Sequence, residues 1–321
     1  SCLMTQNKRK ILILTGDAGL GHRSAAEALL TAFENRYTDQ CELTINNPLN
    51  HPDIPDFVRE SQSDYDEIVK NIPKLYRLGY EVSDSDLPVA LMDEGFTLLL
   101  LDVMREILTE SQPDLIITTY PIYPAPLSAL RETNNLEIPI VSTVTDLVTV
   151  HHVWFHEGLT LLTVPTEAVR ERALEAGLQP EQVVLTGIPV DTEIHELKRT
   201  AKSDLREDLG WEVDPTTILV VASPRVTSLM DILLEIDASD LAVQFTLVAG
   251  GNDTLYEKFK STKWKHPTSI YNFIEFMPKL MRASDMIVCK AGGLIVTESL
   301  ASGLPLMIVH KLPGQELSLI H

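Results

Sequence analysis

Along this chain, short aliphatic runs alternate with stretches whose apolar residues recur at helical spacing, and glycines punctuate the junctions. Lys10–Thr15 is an aliphatic run that stops at Gly16, and Ser24–Phe33 then sets Ala25, Ala28, Leu29 and Ala32 at helical intervals. The unit recurs. Cys41–Ile45, Asp114–Thr119 and Ile138–Val144 read as strands, Pro126–Glu132 as a helix, and Thr166–Ala176 as a helix closed by Gly177. Ser61–Asp86, with Tyr65, Leu75, Tyr76 and Tyr80 among acidic residues, does not repeat the unit and reads as an insertion. After Val183–Thr186 the polar stretch Asp191–Arg206 loses aliphatic periodicity, which puts a domain boundary between 1–190 and 191–321. A second series follows, with strands at Thr217–Ala222, Val243–Ala249, Ile270–Phe273, Met286–Cys289 and Pro305–Val309 and a helix at Leu294–Ala301. Strand and helix in alternation predict an α/β protein of two doubly wound, Rossmann-like domains. Facing each other, such domains would set their ligand-binding strand ends along one cleft.

Composition agrees with two domains: 321 residues with 44% hydrophobic content can fill two cores. The strongest apolar runs, Thr97–Leu101 and Ile218–Ala222, are far shorter than the roughly 20 residues that cross a bilayer. Cys2, Cys41 and Cys289 form neither a close pair nor a metal-spaced cluster, which points to a reducing compartment and so to the cytoplasm. Ser1–Lys8 reads as a loose lead-in, and Ile11–Leu14 is too short for a signal-peptide core. The formal charge of −20 argues against nucleic acid as a partner and against simple electrostatic docking to anionic lipid.

Three motifs carry chemistry. Gly16-Asp17-Ala18-Gly19-Leu20-Gly21-His22 joins a strand to a helix, where glycines allow close backbone approach and the helix start favours negative charge. Its spacing is not Gly-x-Gly-x-x-Gly, and no acidic residue closes Cys41–Ile45 to take a ribose. His22 at the helix start suits a general base, the plain alternative being a tight turn with His22 packed locally. Thr143–Trp154 leaves a strand and carries Asp146, able to orient a histidine or bind a hydroxyl. His151, His152 and His156 lack a second cluster of ligands, so no metal is expected, and Trp154 could simply anchor the loop. In Cys289–Glu298, the backbone of Gly292 and Gly293, the helix dipole and Lys290 would hold a diphosphate, with Glu298 one turn on to accept ribose hydroxyls. Gln315 and Glu316 follow the last strand and could meet sugar hydroxyls. Any α/β fold can start a helix with Gly-Gly, and a solvent-exposed turn would resemble the last motif.

In their order, these segments resemble the monogalactosyldiacylglycerol synthase family and its bacterial diacylglycerol glucosyltransferase relatives. Further matches are Gly21-His22-Arg23, Pro73–Arg77, Pro165-Thr166-Glu167, Thr186–Val190, Phe276-Met277, Gly303-Leu304-Pro305 and Pro313–Glu316. The resemblance implies a GT-B architecture and an inverting, metal-independent transfer of a hexose from a UDP-sugar to a lipid acceptor such as diacylglycerol. It implies no cofactor beyond that co-substrate, and a cytoplasmic enzyme touching the membrane peripherally. Carried onto this sequence, it makes His22 the base or an acceptor-site histidine, and Asp146 its partner or an acceptor contact. It sets the donor against Arg225, Phe276, Met277, Lys290, Gly292, Gly293, Glu298, Gln315 and Glu316, and the acceptor against Gly19, Gly21, Tyr76, Thr149, His151 and Trp154. Two departures stand out. Val221–Ser228 replaces the family's glycine-rich phosphate loop, with Arg225 as a charged substitute. The chain ends five residues after Glu316, where the family continues into helices, so those helices are expected to be missing. Alternatives to transfer are a UDP-sugar epimerase on the same plan and a nucleotide-sugar-binding protein without turnover.

Overall fold

The structure is a computed structural model that describes residues 8–17, 21–54, 56, 59, 89–133, 137–147, 150–222 and 229–310. The chain divides into two compact units, Ser1–Pro189 and Val190–His321. The tyrosine-bearing insertion at Ser61–Asp86 lies outside the described residues.

In the first unit, β1 (Arg9–Leu14) leads through the glycine turn into α1 (Gly21–Tyr37) and β2 (Cys41–Asn46). There follow α2 (Val89–Ser111), β3 (Leu115–Thr118), α3 (Pro124–Thr133), β4 (Ile140–Thr143), β5 (Leu161–Val164), α4 (Glu167–Glu175) and β6 (Val183–Leu185). The six strands are parallel in the order β2-β1-β3-β4-β5-β6. Alternation along β1 explains the two cores. Leu12 and Leu14 point into a cluster with Leu100, Val103, Met104 and Leu127, whereas Ile11 and Ile13 pack with Ala26 of α1. The order reverses between β1 and β3, so the glycine turn and residues Thr119–Tyr120 leave adjacent strands at the switch point where such sheets bind ligands.

The second unit begins with α5 (Glu193–Leu197) and α6 (Lys202–Leu209). It continues with β7 (Thr216–Val221), α7 (Leu229–Ala238), β8 (Val243–Val248), α8 (Asp253–Ser261), β9 (Thr268–Tyr271), α9 (Met277–Ala283), β10 (Met286–Lys290), α10 (Gly293–Ala301) and β11 (Leu306–His310). Its parallel sheet runs β11-β10-β7-β8-β9, with Ile218 and Val220 facing one core and Leu219 the other. The switch point here lies between β7 and β10, which carries the Lys290–Gly293 turn.

Several readings change. The polar stretch Asp191–Arg206 holds α5 and the start of α6, whose apolar residues pack with α9. The strand expected at Ile270–Phe273 starts two residues earlier and ends at Tyr271. Its partner β8 ends at Val248, and the chain then turns away through Gly250 and Gly251, both at positive φ. The run Thr97–Leu101 belongs to the helix α2, and β5, α7, α8 and α9 are elements that periodicity left unmarked.

Candidate functional site

His22 sits at the second position of α1, and its surroundings come from the ends of β1, β3 and β4. Its Nδ1 lies 2.9 Å from the Thr119 carbonyl oxygen and 2.8 Å from Thr145 Oγ1. A carbonyl can only accept, so Nδ1 carries the proton, and the neutral ring keeps its lone pair on Nε2. Thr119 Oγ1 lies 2.8 Å from the His22 carbonyl and 2.9 Å from Thr15 Oγ1, which ties α1 to both neighbouring strands. Tyr120 meets the imidazole edge-on with centroids 4.9 Å apart. Burial pushes the His22 pKa down, and the opposing pull of the Asp146 charge and the Thr119 carbonyl only partly restores it.

Asp146, expected as the orienting partner of His22, acts on it through charge alone among the bonds described; the threonines orient the ring. Asp146 Oδ2 accepts instead from the indole N–H of Trp154 at 3.0 Å. Trp154 in turn is fully buried in the first unit's core, with its ring centroid 6.2 Å from that of His22, and it holds Asp146 there. His151 is exposed and caps the short helical turn His152–Trp154, its Nδ1 accepting from the Val153 N–H at 3.3 Å. His156 Nδ1 accepts from the Gly158 N–H at 3.1 Å, and burial lowers its pKa. Gly19, Tyr76 and Thr149 lie outside the described residues.

Asp17, one residue after Gly16, ties the end of the first strand to α1 and to the segment that follows β2. Its carboxylate accepts from Arg23 at 3.1 Å and from the amides of Asn47 at 2.9 Å and Asn50 at 3.1 Å. Burial raises the Asp17 pKa, and the bonds from Asn50, Arg23 and Asn47 outweigh it, holding the carboxyl below its usual range. Gly16 has a reason other than ligand approach: a Cβ there would sit 2.8 Å from the Tyr120 ring. Gly16→Ala is therefore expected to cost about 1–3 kcal/mol through overpacking. Urea unfolding of the variant checks this, and a loss under about 0.5 kcal/mol would show that the ring gives way freely.

In the second unit, Lys290 ends β10 and Gly292 precedes α10 with extended backbone and no side-chain cap on the helix. The first amides of α10 thus lack an intrahelical acceptor and offer the usual anion-favouring end. At Gly292 a Cβ would make only an ordinary contact, 3.5 Å from Ile295 Cγ2, so local packing does not demand a glycine there. Glu298 is half-buried one turn on, and burial, with the charge of Asp191 adding, pushes its carboxyl up to about 7. Phe276 precedes α9 with its ring edge-on to Tyr271, whereas Met277 packs on the core. Arg225, Gln315 and Glu316 lie outside the described residues. Thr119, Thr145 and Tyr120 are the site residues that sequence reading missed; the Thr-Thr-Tyr and Thr-x-Thr runs at strand ends were the available signal.

Residues 22–190 match the family profile described as monogalactosyldiacylglycerol (MGDG) synthase, and residues 226–315 match the glycosyltransferase family 28 C-terminal domain. The chain is 30% identical over 324 residues to the chloroplastic monogalactosyldiacylglycerol synthase of Spinacia oleracea, covering 97% of this chain and 61% of that protein. It therefore spans about three fifths of the length of such relatives. Among solved structures, it resembles a UDP-GlcNAc 2-epimerase from Neisseria meningitidis bound to UDP-GlcNAc. That match has a TM-score of 0.55 and 15% identity, covering 93% of this chain and 82% of the other. MurG of Acinetobacter baumannii matches with a TM-score of 0.53 and 15% identity, covering 95% and 79%. At such identities the structural likeness concerns the fold, which is the GT-B arrangement of two parallel α/β sheets. No helix among the described residues is long and apolar enough to cross a membrane.

Proposed function

The chain belongs to the monogalactosyldiacylglycerol synthase family, and from that premise we propose that it transfers a hexose from a UDP-sugar to diacylglycerol or a similar lipid alcohol. The observation that carries the reading is the 2.9 Å approach of His22 Nδ1 to the Thr119 carbonyl oxygen. With Nδ1–H held by the Thr119 carbonyl, Nε2 is free to take the proton of an acceptor hydroxyl. The acceptor oxygen then attacks the anomeric carbon as the bond to UDP breaks. One such displacement inverts the configuration. Lys290 and the uncapped start of α10 would stabilise the charge that gathers on the departing diphosphate, so the transfer needs neither metal nor cofactor. Phe276 and Met277 are proposed to meet the uracil, with Arg225, Gln315 and Glu316 completing the donor contacts. The acceptor is lipid, so the enzyme works in peripheral contact with a membrane, from its cytoplasmic side. Incubating the protein with labelled UDP-galactose or UDP-glucose and diacylglycerol liposomes should yield labelled glycolipid; no labelled lipid with either donor overturns the proposal.

Glu298 supplies a second check, because only its carboxylate accepts from both ribose hydroxyls. With the carboxyl at about 7, UDP-galactose should bind about tenfold more weakly at pH 6 than at pH 8. The diphosphate of UDP-galactose has no proton to gain in that range, and Glu298→Gln should flatten the profile. Calorimetric titrations of both proteins measure it; a flat wild-type profile removes Glu298 from the donor site.

A further inference from the structure

Tyr120 is fully buried, yet its hydroxyl oxygen has no hydrogen-bond partner among the described residues. The rest of the residue is committed. Thr118 Oγ1 bonds both the N–H and the carbonyl of Tyr120, Gly16 lies against the ring, the His22 imidazole meets it edge-on, and Tyr123 packs at 5.2 Å. Phenylalanine would supply all of that packing. A buried unpaired hydroxyl opposes folding, so the fold does not explain why this position carries one.

We propose that the Tyr120 hydroxyl binds the acceptor: it is kept unpaired in the free chain beside His22 and donates to an oxygen of the lipid alcohol when that acceptor enters. This rests on the reading of His22 as the acceptor-site base. Three features favour donation to a neutral oxygen. Burial and the nearby Asp17 charge hold the phenol in its protonated form, so it keeps its donor. The Asp17 carboxylate is already occupied by Arg23, Asn47 and Asn50. The neighbouring hydroxyl of Tyr123 bonds the Thr15 carbonyl at 2.9 Å, which leaves Tyr120 as the phenol of the pair with a donor to give. The oxygen is sealed from solvent, so the ligand engages it by displacing the atoms that cover it.

Tyr120→Phe separates this from a tolerated packing defect. The variant should melt no lower than wild type, and up to a few degrees higher, because the unpaired group is gone. Its KM for diacylglycerol should rise about tenfold with the KM for UDP-sugar unchanged. A second arm needs no turnover: dioctanoylglycerol in detergent micelles should raise the melting temperature of wild type more than that of Tyr120→Phe. An unchanged lipid KM with equal ligand shifts overturns the assignment while leaving the proposed transfer intact. A lower melting temperature in Tyr120→Phe also overturns it, since the hydroxyl would then be partnered in the free chain. Absence of turnover in wild type with the difference in ligand shift preserved would reject the transferase reading and keep Tyr120 as a binding residue.

Discussion

Replacing His22 with alanine is expected to lower turnover about 10²–10⁴-fold, the usual contribution of a positioned general base. Affinity for UDP should be unaffected, because the proposed donor contacts belong to the other unit. The pH profile of the wild-type enzyme should carry the same signature. Burial lowers the pKa of His22 from the ordinary 6.5, so the ring stays neutral and basic to lower pH than a free histidine. Measured at saturating UDP-sugar, where donor binding and the Glu298 carboxylate no longer limit the rate, the acid limb of kcat/KM for the lipid should accordingly have its midpoint below 6.5, with the rate falling as the pH falls. Full turnover in His22→Ala would reject the base role. A related expectation concerns Thr145, whose hydroxyl lies 2.8 Å from His22 Nδ1 and helps hold the ring. Thr145→Val should reduce kcat less than His22→Ala does, because the Thr119 carbonyl still fixes the tautomer.

Arg206→Met should destabilise the second unit by about 3 kcal/mol, the lower end of what breaking a buried pair costs, since Asp285 keeps about a third of its side chain in solvent. Arg206 is only 6% exposed, and its guanidinium donates from Nε to the Ala283 carbonyl and from Nη1 to the Val213 carbonyl. From Nη2 it donates to Asp285 Oδ2 at 2.6 Å. Asp285 also accepts from the Thr217 N–H at 2.9 Å and from Lys202 at 3.0 Å, so one ion pair joins α6, the start of β7 and the approach to β10. Removing the guanidinium leaves Asp285 with only Thr217 and Lys202 and takes a donor from three carbonyls, those of Ala283, Val213 and Pro215, at once. Replacing both partners, as in Arg206→Met with Asp285→Leu, should restore part of the loss. Urea unfolding at pH 7 measures both, and a single variant within about 0.5 kcal/mol of wild type would deny the pair this weight. Acid acts on the same group. Burial raises the Asp285 pKa, but the bonds from Thr217, Lys202 and Arg206 leave it below the ordinary carboxylate value. Its contribution is therefore complete above about pH 4 and is lost as the pH falls through the lower, folded value.

The strands and the two glycine turns were legible because each is written in a few consecutive residues. An aliphatic run such as Ile11–Leu14 bounded by Gly16 has few other stable arrangements, and Thr166 with Gly177 marks both ends of a helix. Leu161–Val164 was harder: four residues alternating between half-buried and buried carry too little periodicity to separate strand from loop. The helices α5 to α9 run for only 5 to 10 residues, too few turns for a helical period to stand out before their packing partners are known.

The sequence by itself determined the α/β class, the division near residue 190, the placing of His22 and Gly292 at the starts of helices, and the family that their order matches. Tertiary structure alone decided what those residues touch. The partners of His22 are 97 and 123 positions away, at Thr119 and Thr145, and only the order β2-β1-β3-β4 brings the three strand ends together. The same assembly buried Trp154 in the core against Asp146, set Gly16 against the ring of Tyr120, and left that tyrosine's hydroxyl without a partner among the described residues. Backbone preferences act over a handful of neighbouring residues and can be read in line. Hydrogen bonds and close contacts depend on sub-ångström positions that parallel crossovers set between distant segments, so they exist only in the folded chain.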